Sequence, residues 1–213
     1  MKKKTLSFFD KLKTKFPDDH KAIESIDYLK SQIAHWDDEE EQISNSVGGE
    51  LPLPKEIKND KSFAIFSDGA CRGNPGPGAW GMVGQDSSGA VLFKGSGVET
   101  NTTNNRMEMI GALEAMKSLK HHGINLSESK VFLYSDSKYV VDGMKSWVSG
   151  WKSRGWKKAD KKTPENVDLW KELDTIASCF ENIQYLWVKG HAGHPQNELC
   201  DQLANEALDD SGF

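Results

Sequence analysis

Four acids stand where their types and spacing could do chemistry. Asp68 follows the apolar run "FAIFS" and Asp136 follows "VFLYS", so each closes a strand-like stretch directly after a serine. Two such strands side by side and in register bring both carboxylates to one end of a sheet. Glu108 falls in the first turns of a mostly apolar helical stretch, next to an inward Met107, and can look back towards that end. Asp201 lies about one turn into the last helical stretch. Like charges gathered without a counter-ion are strongly unfavourable, and one of them must take up a proton. A divalent cation resolves the conflict, and hard oxygen ligands with no Cys or His among them favour magnesium or manganese over zinc. The other reading is four ordinary surface acids among the chain's 32 Asp and Glu residues, and residue type alone leaves both open.

The stretch after Asp68 narrows the chemistry. Residues 69–79, "GACRGNPGPGA", hold four glycines and two prolines. A phosphate-cradling loop needs backbone N–H groups and a closing Gly-Lys-Ser/Thr. Pro75 and Pro77 have no N–H to offer, and no Lys-Ser follows. A dinucleotide fingerprint opens a helix, whereas this segment leads into another strand-like run. The glycines are therefore expected to let the backbone turn sharply beside the acid, where a large ligand comes close.

Those acids need elements to hold them. "SFAIFS", "GAWGMVGQ" and "AVLFKGSG" read as three strands, the last two joined by a turn at "DSSG". A helix is expected over 103–120, with Met107, Ile110, Leu113, Met116 and Leu119 along one side. The strand "KVFLYS" leads into a helix over about 137–147. "NVDLWKELDTIASC" is helical, "IQYLWV" is a strand, and "PQNELCDQLANEAL" is a final helix with Leu199, Leu203 and Leu208 inward. The order implies an α/β fold: a five-stranded mixed sheet flanked by helices. Ahead of it, residues 1–43 read as a small helical segment. Its first helix carries Phe9, Leu12 and Phe16; its second carries Ile23, Ile26, Leu29, Ile33 and Trp36. Residues 44–61 have no periodicity and read as a linker, which leaves 62–213 as the main domain.

The chain has 213 residues and a net charge of −5, which argues against a general electrostatic nucleic-acid binder but not against a local basic patch. Such a patch exists. Residues 145–162, "KSWVSGWKSRGWKKADKK", hold seven basic residues against one acid, interleaved with Trp147, Trp151 and Trp156. That mixture suits backbone contact with stacking or sugar packing, and equally a solvated helical face over core tryptophans; Trp147 is expected to be partly core. The absence of a long apolar run excludes a membrane span, and the basic N-terminus lacks the apolar stretch of a signal peptide. Cys71, Cys179 and Cys200, an odd set without CxxC spacing, read as reduced cytosolic thiols.

Taken in order, "SDGACRGNPGPGAWG", "TTNNRMEM", "YSDSKYVVDGM", "WKSRGWKKADKK", "NVDLW" and "WVKGHAGHPQNELCDQLA" resemble bacterial ribonuclease HI over about residues 62–209. The resemblance implies the ribonuclease H-like fold. It also implies hydrolysis of the RNA strand of RNA–DNA hybrids, leaving 5′-phosphate and 3′-hydroxyl ends. It places the metal-binding carboxylates on Asp68, Glu108, Asp136 and Asp201 and the mobile catalytic histidine on His191; His194 reads as helix entry. It implies two Mg²⁺ ions about 4 Å apart, with Mn²⁺ able to substitute, clamping an in-line displacement at phosphorus. Asn74, Asn104 and Asn105 become the readers of the 2′-hydroxyl, since amides both donate and accept. Thr103, Trp147, Trp151, Lys152, Trp156, Lys157, Lys158 and Asn166 become the contacts to the DNA strand. These asparagines and the basic tryptophan stretch separate the chain from transposases and junction resolvases of the same fold. A cytoplasmic monomer is expected. Residues 1–61, with 11 lysines, no arginine and 13 acids, do not resemble the basic hybrid-binding module that precedes some relatives. Their apolar stripes are expected to pack on the nuclease or to dock a protein partner through residues 1–43.

Overall fold

The computed structural model describes residues 49–213 together with Phe9, Lys13, Lys15, Ile23, Ser25, Ile26, Asp27 and Lys30. The chain divides into two compact units, Met1–Ser46 and Val47–Phe213. In the first, the described residues other than Lys15 are helical, Ile26 is buried, and Lys13 pairs with Asp27. Leu12, Phe16, Leu29, Ile33 and Trp36 of the expected stripes lie outside the described residues.

The second unit holds a five-stranded sheet. β1 (Ser62–Cys71), β2 (Gly76–Gln85) and β3 (Val91–Thr102) form an antiparallel meander. α1 (Asn104–His121) leads to β4 (Lys130–Ser135). Next come α2 (Lys138–Asp142), a π-helical turn at Gly143–Trp147 and α3 (Val148–Ser153). α4 (Val167–Ala177), β5 (Ile183–Trp187) and α5 (Pro195–Asp210) complete the unit. The strand order is β3-β2-β1-β4-β5, with β1, β4 and β5 parallel. The expected mixed sheet with flanking helices is what forms, although the helix expected over 137–147 runs on through the π turn to Ser153.

Side chains alternate across the sheet. Ile65, Val131, Leu133 and Tyr185 join one core with Met109, Leu113 and Met116 of α1 and with Trp170 and Leu173 of α4. Ala64, Phe66, Phe132 and Tyr134 join a second core with Val83, Val188 and Cys200, and the Phe66 and Tyr134 rings stack at 4.5 Å. A central strand covered on both faces explains why "FAIF" reads as a continuous apolar run rather than an alternating one. The inward side of α5 is Gln196, Asn197, Cys200, Ala204 and Leu208, while the expected Leu199 and Leu203 are only half-buried.

Residues 49–60 are not the free linker expected within 44–61. Glu50 bridges to Ala90, and Leu51 N–H donates to the Gly89 carbonyl at 3.0 Å. Ile57 is buried in the second core. Tyr134 donates its hydroxyl proton to Glu56 at 2.9 Å, and Gln196 Nε2 donates to the Pro52 carbonyl at 2.5 Å. The segment has no period because it is an extended strap, and isolated apolar residues such as Leu51 and Ile57 carry no periodic signal. Among the described residues no helix is long and apolar enough to cross a membrane.

Candidate active site

Strand register sets the site. β1 pairs with β4 up to Phe66 opposite Tyr134, and Asp68 and Asp136 each lie two residues further on, level with one another. Asp68 does not end its strand as the sequence suggested. β1 continues to Cys71 because β2 stays paired with it, Asp68 facing Gly81. β4 stops earlier, where Ser137 caps α2 by accepting from Val140 N–H at 3.4 Å. The departing chain exposes this flank of β1 and leaves Asp136 at the rim. Glu108 arrives from α1, which approaches β1 so closely that a Cβ on Gly69 would lie 2.4 Å from the Glu108 nitrogen. A Cβ on Gly190, after β5, would lie 2.3 Å from Asp136 Oδ2. Several glycines near the site are thus close-approach positions. A turn requirement applies to Gly73, at φ +95°.

One carboxylate oxygen from each of Asp68, Glu108 and Asp136 lies within 4.8 Å of the others. Asp68 and Glu108 are buried, at 6% and 7% exposure, and Asp136 is half-buried. Asp68 accepts from Gly69 N–H at 2.8 Å and from Asn197 Nδ2 at 3.3 Å. Glu108 Oε1 accepts from Asn104 Nδ2 at 3.0 Å, while its buried Oε2 has no hydrogen-bond partner. No ion pair among the described residues reaches any of the three acids. Burial first, and the Asp136 charge second, push the Asp68 carboxyl up to about 7. Burial and then the charges of Asp68 and Asp136 hold Glu108 well above the usual carboxylate range. An orphaned buried oxygen among converging hard donors, with no counter-cation among the described residues, fits a bound metal cation.

Asp201 lies on α5 outside this group of three. Its Oδ1 and its main-chain carbonyl both accept from Asn205 Nδ2 at 2.9 Å, and its charge adds to the rise of Asp68. His191 is exposed, with φ +49° in the left-handed region. It sits between Gly190 and the Gly193 N–H that donates to Glu198 Oε1 at 3.2 Å. His194 is the N-cap residue of α5, the helix entry expected of it. Asn74 and Asn104 meet: Asn104 N–H donates to Asn74 Oδ1 at 3.3 Å. Asn105 is exposed beside them, so the three asparagines share the N-terminal end of α1.

The basic–aromatic residues gather on a neighbouring face. Trp147, Trp151 and Lys158 line a groove of about 380 Å³ with Tyr139, Pro164 and Glu165. Trp147 is 36% exposed yet packs edge-on against the buried Trp170 at 6.5 Å, so it is partly core as expected, and Trp151 packs edge-on against the same Trp170 ring at 5.6 Å. Trp156 packs against the core under Lys171. Lys152 pairs with Asp174 at 2.7 Å, and Lys157 donates to Thr163 at 2.7 Å. Thr103 caps α1 by accepting from Arg106 N–H at 3.4 Å.

Three polar residues here were not singled out from sequence. Arg106 pairs with Asp168 at 3.1 Å and donates to Asn166 Oδ1 at 3.5 Å, which ties Thr103 to Asn166. Tyr139 accepts from Asn166 Nδ2 at 3.4 Å and from Trp170 Nε1 at 3.2 Å. Asn197 donates to Asp68. A signal for Asn197 was present: it shares a helical face with Cys200, Ala204 and Leu208, and an amide on an apolar stripe needs a partner.

Residues 60–209 match the family model for RNase H. A Ribonuclease H from Cupriavidus necator is 50% identical over 152 residues, covering 71% of this chain and 99% of that protein. Among solved structures, the N-terminal RNase H domain of a Mycobacterium tuberculosis protein is 30% identical with a TM-score of 0.56, over 71% of this chain and 96% of that one. LC11-RNase H1 in complex with RNA/DNA hybrid is 27% identical with a TM-score of 0.57, over 71% of this chain and 99% of that one.

Proposed function

This chain belongs to the ribonuclease H family, and on that footing we propose that it is a metal-dependent endonuclease cutting the RNA strand of RNA–DNA hybrids to 5′-phosphate and 3′-hydroxyl ends. The observation that carries the reading is three converging carboxylates, two of them buried and none ion-paired among the described residues, beside a cluster of asparagines at one helix end. The relative in complex with an RNA/DNA hybrid supports the substrate class.

Asp68, Glu108 and Asp136 would hold the divalent ions, with Asp201 completing the set from α5. When bound, two Mg²⁺ or Mn²⁺ ions supply a water acidic enough to attack phosphorus and stabilise the departing oxygen. Asn197 fixes the Asp68 carboxyl through Oδ2, and Asn104 fixes Glu108 through Oε1, leaving Oε2 free to ligate. Asn74, Asn104 and Asn105 present amides to the 2′-hydroxyl, which donates and accepts. The His191 imidazole, on its exposed loop, moves protons or helps the product leave. Thr103, Arg106 and Asn166 form a phosphate seat for the DNA strand. Trp147, Trp151 and Trp156 pack its sugars, with Lys152, Lys157 and Lys158 along its backbone. The free thiols of Cys71, Cys179 and Cys200 fit a reducing cytoplasm, and the chain is proposed to act as a monomer, with residues 1–43 left for stability or a protein partner.

The test is cleavage of labelled RNA–DNA hybrid, double-stranded RNA and double-stranded DNA, with Mg²⁺, with Mn²⁺ and in EDTA. Cutting confined to the RNA strand of the hybrid and abolished by EDTA is expected. Equal cutting of DNA overturns the assignment.

A further inference from the structure

Trp187 ends β5 with 45% of its surface exposed, more than a residue serving only the core requires. Its indole Nε1 donates to the main-chain carbonyl of Asp136 at 2.9 Å. The ammonium of exposed Lys138 lies 5.0 Å from the centre of its ring. Trp187 pairs with Ser135, the residue before Asp136. Because β1, β4 and β5 are consecutive in the sheet, Asp68 on β1, Asp136 just past the end of β4 and Trp187 at the end of β5 follow one another across it. Neighbouring strands are about 4.8 Å apart, so the Trp187 backbone lies roughly two such spacings from β1, and the indole, bonded to the Asp136 carbonyl, leans back from there towards the acids, within about one or two nucleotides of them. The asparagines lie on the other side: Asn104 bonds Glu108 on α1, which packs on β1 and β2. A strand crossing the acids from the asparagines therefore runs on towards Trp187. A flat, half-exposed ring with an exposed ammonium over one face suits a nucleotide, with a base or sugar against the indole's remaining surface and a phosphate on the ammonium.

We propose that Trp187 and Lys138 form a binding subsite for the cut RNA strand on the Asp136 side of the cleaved bond, the indole against a base or sugar and the ammonium on a phosphate. This rests on the hybrid-cleaving reading above. It differs from a purely structural role, in which the indole serves only to fix the Asp136 backbone.

The experiment uses the full chain and hybrids whose cut is fixed by one window of ribonucleotides. One set of these hybrids is full length; two others are shortened on either side of the window. Trp187→Ala is expected to raise KM on the full-length hybrid about five-fold or more, the scale of one lost base stack. It is expected to add little on the hybrid shortened on the Trp187 side, where the unaltered chain has already lost the contact. Lys138→Gln, a milder change at an exposed position, is expected to lower the salt slope of KM by up to about one. Trp187→Phe keeps a ring but not the bond to Asp136, and is expected to recover most of the KM. Equal losses on all three hybrids would make the residue structural and overturn the subsite, as would unchanged KM for Trp187→Ala or an unchanged salt slope for Lys138→Gln. Failure of the unaltered chain to cut any hybrid would instead overturn the hybrid-cleaving reading on which the subsite rests.

Discussion

At the scale of single residues, Asp68 is buried yet has to carry charge, and that conflict can be measured. Its carboxyl, ordinarily near 3.8, is pushed up to about 7, chiefly by burial. Between those values the folded chain holds a proton that the unfolded chain has lost, so metal-free stability falls as pH rises through this window. Below it the penalty is absent. Asp68→Asn removes the charge and little volume. In EDTA the variant should gain stability relative to the parent as pH rises from about 4 to about 7, and then level off. Melting both proteins across that range checks this, and a variant less stable than the parent at pH 8 would contradict the burial argument. The same substitution should abolish cleavage and the stabilisation of the parent by Mg²⁺. His191→Ala should slow turnover, because the imidazole sits on an exposed loop, yet keep the metal-induced rise in melting temperature. A His191→Ala protein that lost that rise as fully as Asp68→Asn would place the histidine among the ligands. Asp68, Asp136 and Glu108 were legible from sequence because the first two close apolar runs and the third stands in a mostly apolar helical stretch; Asp201, on a polar stretch, carried no such signal and rested on the family resemblance. Arg106 was not singled out, because a guanidinium on an amphipathic helix looks like surface until its partner in another element is known, whereas Asn197 stood on an apolar stripe that only the fold shows to face Asp68.

At the scale of elements, the carboxylates meet because α1 lies almost on the backbone of β1. A Cβ on Gly69 would stand 2.4 Å from the Glu108 nitrogen and 2.8 Å from the Met107 carbonyl carbon, and neither is the movable end of a side chain. Gly69→Ala must shift the helix or bend the strand, and overpacking of this kind costs about 1–3 kcal/mol or more. Since the displaced element carries Glu108, turnover should fall much further than stability, with a higher requirement for Mg²⁺. Gly111→Ala is the control: its Cβ would meet nothing nearer than the Asp68 carbonyl at 3.2 Å, so a small adjustment should leave most activity. Gly69→Ala that melts and cuts like the parent would show that the missing Cβ at Gly69 does not set the spacing between α1 and β1. The sequence displayed these glycines but not their role. Grouped with Pro75 and Pro77 they read as one turn, while Gly69 belongs to β1 and Gly78 and Gly81 belong to β2, against other backbones and side chains. Strand and helix types were legible because apolar periodicity reports them. Tight spacing between elements depends on a missing Cβ and leaves no period.

At the scale of the whole chain, the boundary of the catalytic unit decides what a truncated protein can do. Periodicity begins at Ser62, and a cut there retains every strand and every candidate ligand. The compact unit nevertheless begins at Val47. Its first residues bury Ile57 and satisfy Gln196, whose amide donates to Pro52 O and to Gln85 Oε1 at 2.7 Å. Gln196 precedes Asn197, which holds Asp68, so the strap supports the same helical turn that fixes a candidate ligand. A 47–213 fragment should fold and keep the hybrid specificity of the full chain. A 62–213 fragment loses Ile57, worth roughly 1.5–3 kcal/mol when fully buried. It also leaves Gln196 short of an acceptor, at about 1–3 kcal/mol for a buried polar group left unpaired. It should melt well below 47–213 and turn over more slowly at saturating hybrid, because α5 is less firmly seated. Thermal melts and kcat for the two fragments test this directly, and coincident melts would show that the strap contributes nothing. If 47–213 in turn melts with the full chain, residues 1–46 do not serve stability, and the protein partner proposed for them becomes the reading to pursue by pull-down.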